Sequence, residues 1–194
     1  MSPDTKTMRR NTVLIILVVL IAFVVMIYNG LVQKRVASEN AWSQIDVQLK
    51  RRHDLIPNLV ETVKGYATHE KDTLERVIQA RNSAVSASGN TQEVAQAENM
   101  LSGALRQIFA LSENYPDLKA NQNFMQLQEE IGSTENRISF SRQHYNDCVS
   151  TYNAALEQFP AVMFASSFGF KAREFFELDP AEAAKVKEAP RVSF

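Results

Sequence analysis

The chain has 194 residues, 45% of them hydrophobic and 22% charged, with a formal net charge of −1. So even a balance excludes the basic excess of a nucleic-acid-binding protein. A single cysteine, Cys148, excludes an internal disulfide and favours neither an oxidising nor a reducing compartment.

The first element is an uncharged stretch from Val13 to Val32, bounded by Arg9-Arg10 before it and Lys34-Arg35 after it. As a helix, about 20 residues reach roughly 30 Å, the thickness of a hydrocarbon core. Residues 1–12 are therefore read as a short N-terminal tail, and 13–32 as a transmembrane helix in contact with lipid. A cleaved signal peptide is the competing reading, since Lys6, Arg9 and Arg10 resemble its basic start. No small-x-small cleavage site follows Tyr28, and no lipobox cysteine is present, so the stretch is expected to stay as an anchor. Nearby positive charges lean by one toward a cytoplasmic N-terminus and an exported, periplasmic domain.

From Lys34 the chain is polar and periodic, and residues 33–170 read as one helical domain. Trp42, Leu49, Ile56 and Val63 recur every seven residues, interleaved by Ile45, Leu59 and Tyr66. A second stripe runs Val94, Leu101, Ile108 and Tyr115, interleaved by Ala97, Ala104 and Leu111. The longest runs Phe124, Ile131, Ile138, Tyr145, Tyr152 and Phe159, with smaller Thr134, Ser141, Cys148 and Ala155 between. Residues three, four and seven apart share a helix face, so each stripe is a core seam of coiled-coil-like packing. In that setting Cys148 is a small packing residue.

Punctuation divides these stripes into four helices, at about 33–64, 70–86, 91–113 and 117–158. The first stripe loses phase at Gly65-Tyr66-Ala67, where Gly65 can end the helix and Thr68 can cap the next. Leu74, Val77, Ile78 and Val85 then resume on a shifted face. Ser86 to Asn90 is a loop, and Asn90 with Glu93 resembles a capping box. Pro116 suits the first turn of the last helix. The expectation is all-α: one transmembrane helix, then an up-and-down four-helix bundle of long antiparallel helices. One unbroken helix from the membrane to about residue 86 is the alternative.

Two residues of the first helix conflict with this pattern. Pro57 lies inside it, where a proline removes a backbone hydrogen bond and a kink is expected. Arg52 sits on the core stripe between Leu49 and Ile56, a candidate buried charge that needs a partner. Glu129, Glu130 and Glu135 are the expected carboxylates; snorkelling to the bundle edge is the other reading.

The run Phe159 to Phe170 has no charged residue and four phenylalanines: Phe159, Phe164, Phe168 and Phe170. It is too short to span a bilayer. An up-and-down topology returns it toward the membrane, which makes Phe164, Phe168 and Phe170 a candidate interaction segment for self-association or a membrane partner. Alternatively it folds back to cap the core. Residues 171–194 are read as a C-terminal tail.

Specific blocks stand out within these patterns. They are Asn40-Ala41-Trp42, the run Leu49 to Val60 with Arg51-Arg52-His53-Asp54-Leu55-Ile56-Pro57-Asn58, and Lys64-Gly65-Tyr66. Further on come His69-Glu70, Ala80-Arg81, Tyr115-Pro116-Asp117-Leu118-Lys119-Ala120 with Phe124, Leu127-Gln128, Tyr145-Asn146, Tyr152-Asn153, Phe159-Pro160 and Gly169-Phe170. In this order they resemble the LemA family of bacterial membrane-anchored proteins, from the anchor to about Phe176. The resemblance implies a short N-terminal tail, one transmembrane helix and a four-helix bundle at the bacterial inner membrane. It includes a relative from magnetosome membranes, which implies membrane-organising or scaffold roles. It supplies no catalytic residue, and the region from Lys171 is the variable part of the family.

Chemistry is hard to place. His53, His69 and His144 have no metal-type partners at helical spacing apart from His144 near Asp147, and a solvated face is expected for them. Phosphate loops, serine elbows and cysteine pairs are absent from the sequence. Glu129-Glu130 and Glu135 have no companion acid motif, and Lys50-Arg51 reads as solvated charge. No catalytic, cofactor or metal site is assigned, and an enzyme is not expected. The function expected is a membrane-anchored scaffold or adaptor working by protein–protein contact, assembled as a homo-oligomer. The alternative is an accessory subunit of a membrane enzyme such as a protease or transporter, bound to an unidentified membrane protein.

Overall fold

The computed structural model describes residues 5–177, with side chains from residue 8 onward. The remainder of the expected tails, residues 1–4 and 178–194, lies outside the described residues. The chain forms α1 (Thr5–Lys64), α2 (Lys71–Ser86), α3 (Thr91–Ser112), α4 (Pro116–Lys119) and α5 (Gln122–Glu157), then a 3-10 turn at Ala161–Met163. Among the described residues there is no strand.

The start of α1 differs from the expected boundary at residue 33. The helix is continuous for 60 residues, taking in residues 5–12, the apolar stretch and Pro57. Nothing at 29–33 interrupts it, because a lone glycine such as Gly30 lowers helix stability without ending a helix. One helix among the described residues is long and apolar enough to cross a membrane, and it is this one. From Val13 to Phe23 every side chain is exposed.

The break near Gly65 is present, and it excludes an unbroken helix to residue 86. After Lys64 the chain turns, the Ala67 N–H returning to the Val63 carbonyl at 2.9 Å, and Ala67 is buried. Thr68 does not cap α2. Glu70 holds the N-cap position without a side-chain cap bond, and its carboxylate instead accepts from the Tyr115 hydroxyl at 3.1 Å. The face of α2 also differs: Leu74, Val77 and Ala84 point inward, while Ile78 and Val85 are exposed. Spacings of three and seven define a narrower stripe than the one read from hydrophobicity alone.

Asn90 caps α3, its side chain accepting from the Glu93 N–H at 2.8 Å. The Glu93 carboxylate folds back over Gly89 so closely that a Cβ there would collide with it. Pro116 opens α4, but this helix is one turn long, and the single helix expected at 117–158 is two. Asn121 is the cause: its side chain accepts the Phe124 N–H at 3.0 Å, starting α5 afresh.

The chain divides into two compact units: residues up to 40 with 147–173, and residues 41–146 with those from 174. In the second, Ile56, Leu59 and Val63 of α1 join Leu74 and Val77 of α2, Leu101, Leu105 and Ile108 of α3, Leu118 of α4, and Phe124 and Ile131 of α5 in one core. In the first, Leu31, Tyr152, Ala155, Ala161, Ala165 and Phe170 cluster. The long stripe is buried from Phe124 to Tyr152; Phe159 is 79% exposed, because α5 has already ended at Glu157.

Candidate interaction surface and buried ion network

Arg52 is 1% exposed, among the largest fully buried side chains of the described residues. Leu49 and Ile56 on the same face of α1 carry it inward. Its guanidinium forms ion pairs with Glu98 of α3 and Glu135 of α5, and donates to the Ser102 hydroxyl at 2.8 Å. Ser102 donates to Glu135 at 3.2 Å. The second oxygen of Glu98 accepts from His53 Nε2 at 2.8 Å. Burial alone would raise the Glu98 carboxyl, but the His53 hydrogen bond and the Arg52 charge outweigh it and hold it below its ordinary value.

Of the three carboxylates expected for Arg52, the structure brings in Glu135; Glu129 is exposed and Glu130 half-buried on other parts of α5. Glu98 is a partner that the sequence reading missed. It lies four residues after Val94 and three before Leu101, on the buried face of α3, so a lone acid on an apolar stripe was the available signal. His53 also departs from expectation. It is buried rather than solvated, because it follows Arg52 onto the side of α1 that faces α3. His69 and His144 are exposed, and no group of His, Cys, Asp and Glu among the described residues could hold a metal ion.

Pro57 is accommodated without a break in α1. Lacking an N–H, it leaves the carbonyl four residues back, at His53, without its helical donor. That carbonyl accepts from Arg81 Nε of α2 at 2.9 Å. The side-chain bond from a second helix replaces the one that the proline removes.

The phenylalanine segment folds against the first unit's own part of α1. Phe170 is buried, its ring 5.4 Å from that of Tyr28 at 62°, with the Arg35 guanidinium 5.4 Å from its centroid. Phe168 meets Tyr28 edge-on, also at 5.4 Å, yet stays 47% exposed, and Phe164 is half-buried. Gly169, at φ 77, makes the reversal that sends Phe170 inward. The outward apolar surface is instead Phe159, Val162, Met163 and Phe168.

Two asparagines seven residues apart on α5 grip the chain that follows. In the first unit, Asn153 donates to the Arg173 carbonyl and accepts its N–H, both at 2.9 Å. Arg173 there also reaches Ser38 at 3.0 Å and Glu39 at 3.1 Å. In the second unit, Asn146 pairs in the same way with Phe176, at 3.1 and 2.9 Å. The Phe176 ring lies 5.8 Å from Trp42 and under the Arg142 guanidinium, and Tyr145 donates to the Glu174 carbonyl at 2.9 Å. The start of the expected tail is thus held to α5 through Arg173, Glu174 and Phe176.

Residues 41–194 match the model of the LemA family. Among curated proteins, the chain is similar to the magnetosome protein MamQ 1 of Paramagnetospirillum magneticum, 25% identical over 189 residues, covering 84% of this chain and 70% of that protein. The magnetosome protein MamQ of Magnetospirillum gryphiswaldense is 24% identical over 190 residues, covering 85% of this chain and 70% of its own. The protein LemA of Metamycoplasma hominis is 24% identical over 131 residues, 68% of this chain and 60% of that protein. None of these names is that of an enzyme.

Proposed function

Because the chain belongs to the LemA family, we propose that it is a membrane-anchored scaffold or adaptor that acts by protein–protein contact and assembles with copies of itself. One observation carries this reading. A single helix, α1, holds both a bare apolar stretch and the residues Ile56 to Val63 of a closed core. The apolar stretch is suited to lipid, and the polar outer faces of the helices beyond it are suited to partners. The Arg52 network supports the reading from another side, since Glu98 and Glu135 are committed to a guanidinium. Carboxylates engaged in that way serve helix packing and are poorly placed to exchange protons with a substrate.

In this reading α1, α2, α3 and α5 form an up-and-down four-helix bundle beside the bacterial inner membrane, on its periplasmic side. The likeness to magnetosome proteins supports the scaffold reading. Native mass spectrometry of the full-length protein, extracted gently from its own membranes, tests the assembly. A defined multiple of the 21.9 kDa chain is expected. A stoichiometric second protein would make the chain an accessory subunit of a membrane enzyme, and a bare monomer would overturn self-assembly.

A further inference from the structure

The geometry points to a second membrane contact: the segment 159–168 inserts its exposed apolar side chains into the same lipid leaflet that receives the C-terminal end of the apolar stretch of α1. This inference rests on the reading of residues 13–32 as a membrane span. It assigns the phenylalanine segment to lipid, and leaves the helices of residues 41–146 for protein partners.

Depth is the first argument. Phe168 and Phe170 both meet Tyr28 at 5.4 Å. Tyr28 lies four residues before the end of the uncharged stretch at Val32, or about 6 Å along the helix axis. Ile27 and Val32 pack against the same cluster. The segment is therefore attached to a part of α1 that sits inside the apolar layer if α1 crosses it.

The second argument is what the segment presents there. Phe159 is 79% exposed, Met163 62% and Val162 52%, with Phe168 beside Tyr28. No charged residue occurs from Phe159 to Phe170, and basic Lys171 follows at once. Aromatic rings and an apolar turn, bordered by a lysine, match the edge of a bilayer.

Backbone chemistry is the third. Non-helical chain can enter an apolar layer only where its polar groups are satisfied internally. Met163, Phe164, Ala165, Phe168, Gly169 and Phe170 all donate their N–H to carbonyls of residues 160–166, at 2.8 to 3.2 Å. A surface loop has water to serve this purpose; these six N–H groups have acceptors within the segment.

Site-directed spin labelling tests the inference in full-length protein reconstituted into vesicles of phosphatidylethanolamine and phosphatidylglycerol. In a Cys148→Ser background, single cysteines replace Met163, Leu17 within the span, and Gln107 on the exposed face of α3. Each label is probed for collision with oxygen, which concentrates in lipid, and with a water-soluble nickel chelate. The label at Met163 is expected to resemble that at Leu17, open to oxygen and shielded from nickel, with Gln107 the reverse. A Met163 label open to nickel while Leu17 stays shielded would overturn the lipid contact alone. Shielding of Met163 from both reagents would overturn it in favour of a second copy or another protein. Nickel access at Leu17 would overturn the membrane span itself, and the inference with it.

Discussion

Charge and packing are handled differently in the two units. In residues 41–146, an arginine, a glutamate and a histidine are buried among the leucines and isoleucines of a closed core, each with a partner. In residues up to 40 with 147–173, the cluster is built on Leu31, three alanines, Tyr152 and Phe170, and much apolar surface is left bare. The first arrangement completes itself. The second is complete only with an apolar surrounding, since an exposed run such as Val13 to Phe23 has no counterpart on a soluble surface.

A heptad seam of leucines and isoleucines tolerates a slip by one repeat, because each repeat resembles the next. Arg52 is expected to remove that freedom. Its guanidinium meets Glu98 and Glu135 at one register only, and a slip of α1, α3 or α5 would strand a buried charge. Replacing Arg52 with alanine should break the contrast between the units most strongly. Glu98 would be left buried without its cation, a loss of about 3–5 kcal/mol by analogy with other buried pairs. Chemical denaturation in detergent, followed by the fluorescence of Trp42, reads this unit selectively, since Trp42 is the sole tryptophan and lies within it. The pair Arg52→Met with Glu98→Leu should lose less than Arg52→Ala does. Equal or greater loss in the pair would mean that the charges contribute more than register.

A smaller effect separates the two oddities of α1. Arg81→Ala removes the donor to the His53 carbonyl, and leaving a largely buried acceptor unpaired costs about 1–3 kcal/mol. In a Pro57→Ala background, the new alanine brings an N–H that can restore the helical bond to His53. Arg81→Ala should then cost measurably less, and the two substitutions should be coupled. If the cost is the same in both backgrounds, Arg81 is not compensating for the proline.

Much of this was legible in the sequence, and the misses share a cause. The stripes at Leu49, Ile56 and Val63, and from Phe124 to Tyr152, were visible because a helix face is encoded locally by spacing. The Asn90 cap and the turn at Gly65 were visible for the same reason. Glu98 was missed because choosing which acid meets Arg52 requires knowing which helices lie side by side, and spacing within one helix does not carry that. Asn121 was missed because a single side chain there competes with a helix that the hydrophobic period would continue. In the sequence, spacing puts Phe159 on the core stripe and leaves Phe170 in the candidate interaction segment, yet it is Phe159 that is exposed and Phe170 that is buried. What separates them is the end of α5 at Glu157 and the reversal at Gly169, which turn one ring inward and leave the other bare.

Acid should produce the smallest and most selective of these effects. The Glu98 carboxyl is held below its ordinary value of 4.5 in the folded chain, so as pH falls the unfolded chain takes up that proton first. The stabilisation from its ionised form is thus fully present above the unfolded value and is lost as pH falls through the lower, folded one. Protonation leaves the side chain in place, so the loss should be smaller than that from Arg52→Ala. Denaturation followed at Trp42 should therefore weaken below about pH 4.5 more steeply in the native chain than in Glu98→Gln, which has no proton to gain. Hydrogen exchange at residues 163–170, where the cluster is apolar, should show no comparable difference between the two proteins. A parallel acid response in both would mean that Glu98 does not set the pH dependence of the unit around it.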